Sequence, residues 1–183
     1  MNSKNQFRVE EARNALPAGI LDVASLAVGL MVLFSAQFAV AAETGTYVQV
    51  VSLSTNYTKS ERGGETVIGG ASSGTVTTIQ SSGGPFIEGS SGLFECILFA
   101  KRSAAGMNLE APCVSTDTSG DKVFSVAKRS AGDVDAGSGA EGKSELLGGT
   151  GKYVGLTGSC TYKVDFLPGN RLVTISKCRW QKS

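Results

Sequence analysis

After residue 42 the chain consists of short runs rich in valine, isoleucine, threonine and aromatic residues, separated by clusters of glycine. This pattern is typical of β-strands joined by turns, and no stretch shows the sustained 3.6-residue apolar period of a helix. We predict strands near residues 46–53, 65–68, 74–80, 91–101, 109–117, 122–129, 143–147, 158–167 and 171–180. The pattern therefore predicts an all-β domain over residues 43–183.

Two of these strands indicate which of their faces are buried. From Cys160 to Phe166 apolar and polar residues alternate, which predicts a strand with one buried face carrying Cys160, Tyr162, Val164 and Phe166. The run 93–99 is apolar on both faces. A strand of that kind is expected at the centre of a sandwich, or in a barrel wall that is covered from outside.

The N-terminal stretch has the features of a secretory signal peptide. A mildly basic segment precedes the apolar run 23–34, and small residues follow up to Ala42. We expect a signal-peptide helix within residues 1–42, cleaved after Ala41 or Ala42. The alternative is an uncleaved anchor, since 23–42 is long enough to span a bilayer. Cleavage would release a secreted or periplasmic domain with no further membrane contact.

Charge and composition exclude several classes of function. The 183 residues carry a formal net charge of +1, which gives no reason to expect nucleic acid as a partner. The chain contains no histidine, so His-dependent catalytic triads and His-ligated zinc are excluded. We predict no cofactor and no metal.

The four cysteines of an exported chain indicate disulfides, with three possible connectivities. A hairpin centred on Gly169 places Cys160 directly opposite Cys178. An earlier hairpin turning at residues 104–105 places Cys96 directly opposite Cys113. Directly opposed cysteines in an antiparallel pair are close enough to bridge, so we predict these two disulfides. A four-cysteine zinc site is the rival interpretation, but it lacks the closely spaced pair that zinc ribbons use.

The most distinctive motif is Gly-Gly-Thr-Gly-Lys-Tyr-Val-Gly-Leu-Thr-Gly, over residues 148–158. Its glycines allow tight turning and close backbone approach while Tyr153 packs inward. The structural glycines are Gly148, Gly149, Gly151, Gly155 and Gly158. This motif, leading into a strand, resembles the allene oxide cyclase and dirigent-like β-barrel superfamily, and is most similar to its small exported bacterial members. The similarity is strongest over 145–180 and weaker over 94–124.

The resemblance implies a closed antiparallel barrel of about eight strands with an apolar interior. Barrels of this size hold one small ligand. Plant members of the superfamily steer ring closure of a fatty-acid epoxide, and dirigent proteins orient the coupling of phenoxy radicals. The motif glycines are structural in this superfamily, so the resemblance transfers no catalytic residue to this chain.

Three side chains are candidates for contact with a ligand. Glu95 lies within an apolar strand, where a carboxylate facing the lumen would bind or protonate a ligand; the alternative is a rim position paired with Lys101. Glu88 is placed to sit at a cavity mouth, or else in a solvated loop. Tyr153 is the inward residue of the glycine motif. Asp117 and Asp121 are weighed as a calcium loop against simple turn caps.

The sequence thus favours a non-enzymatic binding or structural module whose partner is a small apolar ligand. An allene oxide cyclase-like isomerase, which steers a reactive lipophilic substrate by shape, is the first alternative. An adhesion module that uses exposed strands for protein contacts is the second.

Overall fold

The computed structural model describes residues 42–183, which form eight strands and one short 3-10 helical turn. The predicted signal peptide, apart from Ala42, lies outside the described residues. The strands are β1 (Glu43–Arg62), β2 (Glu65–Ser81), β3 (Ser91–Ser103), β4 (Gly106–Asp117), β5 (Lys122–Arg129), β6 (Gly139–Gly149), β7 (Leu156–Leu167) and β8 (Arg171–Lys182). The 3-10 turn is Gly151–Tyr153. None of the described helical residues forms a segment long and apolar enough to cross a membrane.

Each strand pairs antiparallel with its neighbour in sequence, and β8 pairs back onto β1, which closes the barrel. This up-and-down order confirms the predicted closed antiparallel barrel of about eight strands. Closure also satisfies the backbone groups that an open sheet would leave unpaired at its edges.

The connections divide between the two ends of the barrel. At one end lie loops 82–90 and 118–121 and the glycine motif between β6 and β7, together with the first residue of β1. The tight turns at 63–64, 104–105 and 168–170 and the longer loop 130–138 lie at the other. We call the first the aromatic end, after Tyr47, Phe86, Tyr153 and Trp180. We call the second the arginine end, after Arg129 with Tyr57 and Tyr162.

Alternation along the strands decides which side chains fill the interior. In β7, Cys160, Val164 and Phe166 are buried, Tyr162 is half-buried, and the residues between them face outward, as predicted. The registers Cys160↔Cys178 and Cys96↔Cys113 both hold, and both disulfides form. All four cysteine side chains are buried, so the disulfides lie inside the barrel.

The hairpin of β1 and β2 is longer than its sequence predicts. The predicted strands 65–68 and 74–80 are one continuous strand, and β1 runs nine residues past the predicted end at 53. The reversal occurs at Gly63 and Gly64, whose φ angles of 60° and 82° suit a tight turn, and Gly69-Gly70 lies within the strand. Residues 54–62 are mostly polar and exposed, so their extended form comes from backbone pairing and not from burial.

The outer face of β3 departs from prediction in a different way. Leu93, Ile97 and Phe99 are exposed, with Ile97 at 62 %. Outward neighbours on the next two strands, Pro112 and Phe124, are also exposed. The wall is therefore not covered from outside in the described chain, which instead presents an apolar outer face across β3, β4 and β5.

Candidate functional site: a barrel lumen in two halves

The barrel interior holds two adjoining cavities. A cavity of about 60 Å³ lies toward the aromatic end, and one of about 100 Å³ lies toward the arginine end. The two share a ring of lining residues at the waist of the barrel: Val51, Phe94, Ser125, Ser144 and Ser176. The two cavities thus meet at the waist of the barrel. The serines there, which are small, leave space that larger inward side chains would fill.

Four aromatic side chains close the aromatic end. Phe86, from the loop between β2 and β3, stacks on Tyr47 with ring centroids 3.7 Å apart. The Phe86 centroid also lies 5.4 Å from that of Tyr153 and 6.2 Å from that of Trp180. All four rings are buried. The loop therefore plugs this end of the barrel with an aromatic side chain.

The glycine motif holds Tyr153 in this cluster. A Cβ at Gly149 would collide with the Lys122 carbonyl oxygen and would lie 2.6 Å from Cβ of Tyr153, so only glycine fits there. The Lys122 amide donates to Thr150 Oγ1 at 2.9 Å, which ties the motif to the start of β5. These contacts confirm the close backbone approach predicted for the motif.

Asp117 anchors Tyr153 from the end of β4. The Tyr153 hydroxyl donates to Asp117 Oδ2 at 3.2 Å, and Lys152 Nζ lies 2.6 Å from the same oxygen. Asp117 Oδ1 accepts from the Ser119 amide at 2.8 Å and from the Asp121 amide at 3.1 Å. Both carboxylate oxygens are thus used in capping the turn and orienting Tyr153. This arrangement matches the turn-cap interpretation of Asp117.

These contacts shift the pKa values of the pair in opposite directions. Burial alone would raise the pKa of Asp117, but hydrogen bonds from Lys152 and Ser119 hold it well below its usual value of 3.8. Burial, together with the negative charge of Asp117, raises the pKa of Tyr153 above its usual value of 10.0. Asp117 is therefore ionised and Tyr153 is neutral throughout the physiological range, and the tyrosine is the proton donor in their hydrogen bond.

The lowered pKa of Asp117 predicts an acid-sensitive contribution to stability. A carboxyl group with a depressed folded-state pKa contributes its full stability above 3.8 and loses it as the pH falls toward the folded-state value. We expect Asp117→Asn to lower the free energy of unfolding by about 1.5–3 kcal/mol at pH 6, because it removes hydrogen bonds to a charged group. Urea unfolding at pH 6, 4 and 2 should show this deficit shrinking as the wild type is acidified.

The matched control is Asp165→Asn, on the exposed outer face of β7. It makes the same charge change without the contacts, so we expect a difference within about 0.5 kcal/mol of wild type. A deficit for Asp117→Asn that stays constant down to pH 2 would contradict the assigned pKa direction.

The cavity toward the arginine end is mainly apolar. Its walls come from all eight strands and include one of the two disulfides. The lining side chains include Leu53, Leu98, Leu109, Ala111, Ala127, Val164 and Phe166. Loop 130–138 lies at this end, where buried Val134 packs into the same core. Ion pairs of Asp133 with Arg102 and of Asp135 with Lys59 hold the loop.

Arg129 is the exception among these apolar side chains. It is the last residue of β5, it lines this cavity, and it is only 6 % exposed. Its Nη2 donates to the backbone carbonyl of Asp133 at 2.8 Å, and its guanidinium carbon lies 5.3 Å from the centroid of Phe166. Within residues 42–183, Nη1 has no hydrogen-bond partner, and no carboxylate forms a salt bridge with this arginine.

Two tyrosines line the cavity beside the arginine. Burial raises the pKa values of Tyr57 and Tyr162, and the positive charge of Arg129 opposes both shifts. Burial likewise lowers the pKa of Arg129, although an arginine stays protonated at any physiological pH. The cavity therefore combines apolar walls, neutral phenols and one buried cation.

The three predicted ligand contacts fall in different places. Tyr153 is buried and lines the cavity at the aromatic end, as predicted. Glu95 lies on the exposed outer face of β3, because its neighbour Cys96 takes the inward position. The placement of Glu95 in the lumen is therefore wrong. Its alternative partner, Lys101, makes no salt bridge within the described chain. Glu88 is exposed in the loop 82–90 and lines neither cavity.

Arg129 was not among the predicted site residues. In sequence it stands in Lys128-Arg129-Ser130, at a polar strand end that resembles a solvated surface. The sequence does carry a signal for it, because alternate residues of a strand face the same side. Val123, Ser125, Ala127 and Arg129 therefore share the inward face of β5. A continuous inward series places the arginine in the interior.

The described residues contain no cluster of three or more acidic or cysteine side chains suited to holding a metal ion. Their four cysteines are all in disulfides, so none is a free thiol.

Residues 42–183 define a small disulfide-bonded, closed up-and-down barrel whose interior holds two adjoining cavities, with the buried cation Arg129 lining one of them. Comparisons with protein-family models, with curated proteins and with solved structures found no match for this chain.

Proposed function

We propose that this protein is an exported, non-enzymatic module that binds a small, largely apolar ligand in the lumen of its barrel. The observation that carries this proposal is the cavity of about 100 Å³ with mostly apolar walls toward the arginine end. An apolar cavity of roughly 150 Å³ in a protein core holds benzene. The cavity here is smaller than that, so a single small ring or a short chain is the largest ligand we expect, and a long lipid is excluded.

Export is supported by the two disulfides, since such bonds form and persist in oxidising compartments. Membership of the allene oxide cyclase and dirigent-like superfamily is part of the same proposal. It is supported by the closed eight-stranded barrel and by the structural use of the glycine motif at Gly149.

A non-enzymatic role is favoured over an isomerase by the chemistry of the lining groups. The Asp117 carboxylate already forms hydrogen bonds or an ion pair with four neighbouring residues. Tyr57, Tyr153 and Tyr162 keep their protons because burial raises their pKa values. None of these groups is poised to exchange a proton near neutral pH.

The test is to fill the cavity from inside. Ala111 is buried on the inward face of β4, and Ala111→Leu would occupy much of the apolar space. We expect the wild type to bind toluene, seen as chemical-shift changes of cavity residues in NMR titrations, and Ala111→Leu to weaken that binding at least tenfold. Native mass spectrometry of the purified protein would show whether it retains a ligand.

The matched control is Ala71→Leu, the same substitution on the exposed outer face of β2. It should leave toluene binding unchanged. Absence of any binding to the wild type would overturn the proposal.

Contact with a partner protein is the second candidate function. The observation that favours it is the exposed apolar outer face formed by Leu93, Ile97 and Phe99 with Pro112 and Phe124. A cluster of large exposed apolar side chains of this kind often marks an interaction site, although Glu95 and Glu110 lie among them. A lumen that binds neither toluene nor a retained ligand would make this face the leading candidate.

A further inference from the structure

Arg129 presents an unsatisfied charge to an apolar cavity. The side chain is 6 % exposed, and its Nη1 makes no hydrogen bond within the described residues. A buried charge without a partner is strongly unfavourable, and proteins either pair such a group or expose it. Here the neighbouring loop supplies one hydrogen bond, from the Asp133 backbone carbonyl to Nη2. The negative charge of Asp133 also favours the charged form of Arg129, but that carboxylate forms its ion pair with Arg102 and none with Arg129.

We propose that the cavity toward the arginine end is a binding site for a small organic monocarboxylate, with its carboxylate on Arg129 and its apolar body against the lumen wall. This inference rests on the proposed lumen-binding function and names the class of ligand. The free Nη1 is a donor of the kind that pairs with a carboxylate oxygen, and the Tyr57 and Tyr162 phenols beside it are neutral donors.

Size and charge favour a monocarboxylate over a phosphate. The cavity measures about 100 Å³, and among residues 42–183 Arg129 is the one charged residue that lines it. A doubly charged phosphate group would need a second cation, and the apolar walls would give it no hydrogen bonds. A compact ring or short chain with one carboxylate would pair with the arginine and bury its apolar body against the walls.

A route to the site lies where β5 and β6 separate. Their pairing ends at Lys128↔Lys143, one residue before Arg129. Arg129 and Tyr162 line the lumen cavity and also an outer groove that runs across β4 to β8. Only glycine fits at position 142, because a Cβ there would overlap the Tyr162 ring and would lie 2.7 Å from the Lys128 carbonyl oxygen; the Tyr162 ring therefore packs directly on the β6 backbone beside this route.

The charge of this groove favours an anion. Four lysines line it, against three glutamates: Lys128, Lys143, Lys163 and Lys177, with Glu110, Glu141 and Glu145. Lys128 is offset by Glu145 at 3.8 Å. The remaining excess of positive charge would attract a carboxylate toward the opening beside Arg129.

The test compares benzoate with benzamide, two probes of nearly the same shape that differ in charge. NMR titration of the full barrel domain should give at least tenfold tighter binding of benzoate than of benzamide, with the largest shifts at Arg129, Tyr162 and Phe166. The Arg129→Met variant, which keeps the length of the side chain without its charge, should lose this preference.

The control is Arg179→Met, the same charge change on the exposed outer face of β8, which should keep the full benzoate preference. Equal affinity of the wild type for both probes would overturn the carboxylate assignment while leaving toluene binding, and with it the lumen-binding function, intact. Persistence of the benzoate preference in Arg129→Met would also overturn it. The comparison of probes on wild-type protein decides the matter even if that variant fails to fold.

Discussion

Replacing all four cysteines by alanine should remove about 6 kcal/mol from the free energy of unfolding and leave the barrel close to unfolded at 37 °C. The bridged cysteines are 17 and 18 residues apart in sequence. Closing a loop of this size stabilises a fold by about 3 kcal/mol in the chain-entropy model. Small domains have only about 5–15 kcal/mol in total, so losing both bridges consumes much of it.

The two disulfides should contribute separately because they join different strand pairs, β3 with β4 and β7 with β8. Urea unfolding of C96A/C113A and of C160A/C178A should each show a loss of about 3 kcal/mol, and the quadruple variant about the sum. Since all four cysteines are buried, dithiothreitol should reduce the native protein only as fast as it opens. A loss below about 1 kcal/mol for either pair would refute the structural role of that bridge.

The pairing of the cysteines was predictable because it depends on local geometry. A hairpin with a known turn has one register, and the register alone places Cys160 opposite Cys178. The same reasoning predicted the inward face of β7, where apolar and polar residues alternate without interruption. Both predictions rest on contacts between residues that are near in sequence.

The long hairpin of β1 and β2 shows where this reasoning stops. Residues 54–62 are polar and give no burial signal, and Gly69-Gly70 looks like a turn. Their extended conformation depends on pairing with residues 65–73 of β2. Because hydropathy records burial and not backbone pairing, a solvent-facing ladder of this kind leaves little trace in the sequence.

The candidate site was harder to predict than the fold, since it depends on strand faces and on closure together. The apolar neighbours of Glu95 favour an interior position for it, but Cys96 faces inward, so the adjacent Glu95 faces outward. Arg129 resembles a solvated residue in the sequence. It is buried because it lies on the inward face of β5 and the loop at the arginine end covers it. Whether a charged residue is inside a barrel depends on strands that are distant in sequence.

The second large effect should come from the plug at the aromatic end. We expect Phe86→Ala to lower the free energy of unfolding by about 3–5 kcal/mol, the usual cost of removing a buried phenylalanine ring. Phe86 is 3 % exposed, stacks on Tyr47 and lies near Tyr153 and Trp180. Urea unfolding should show a lower midpoint with little change in slope, the signature of lost stability in an unchanged fold.

The adjacent residue provides the control, since Ile87 belongs to the same loop but is 61 % exposed. Ile87→Ala should change the stability by less than about 0.5 kcal/mol, because its side chain buries little surface. In Phe86→Ala the amide of Gly89, which donates to the Thr78 carbonyl at 2.8 Å, should also exchange its hydrogen faster than amides in the strands. Equal stability losses for the two variants would mean that the loop as a whole, and not the Phe86 ring, closes this end.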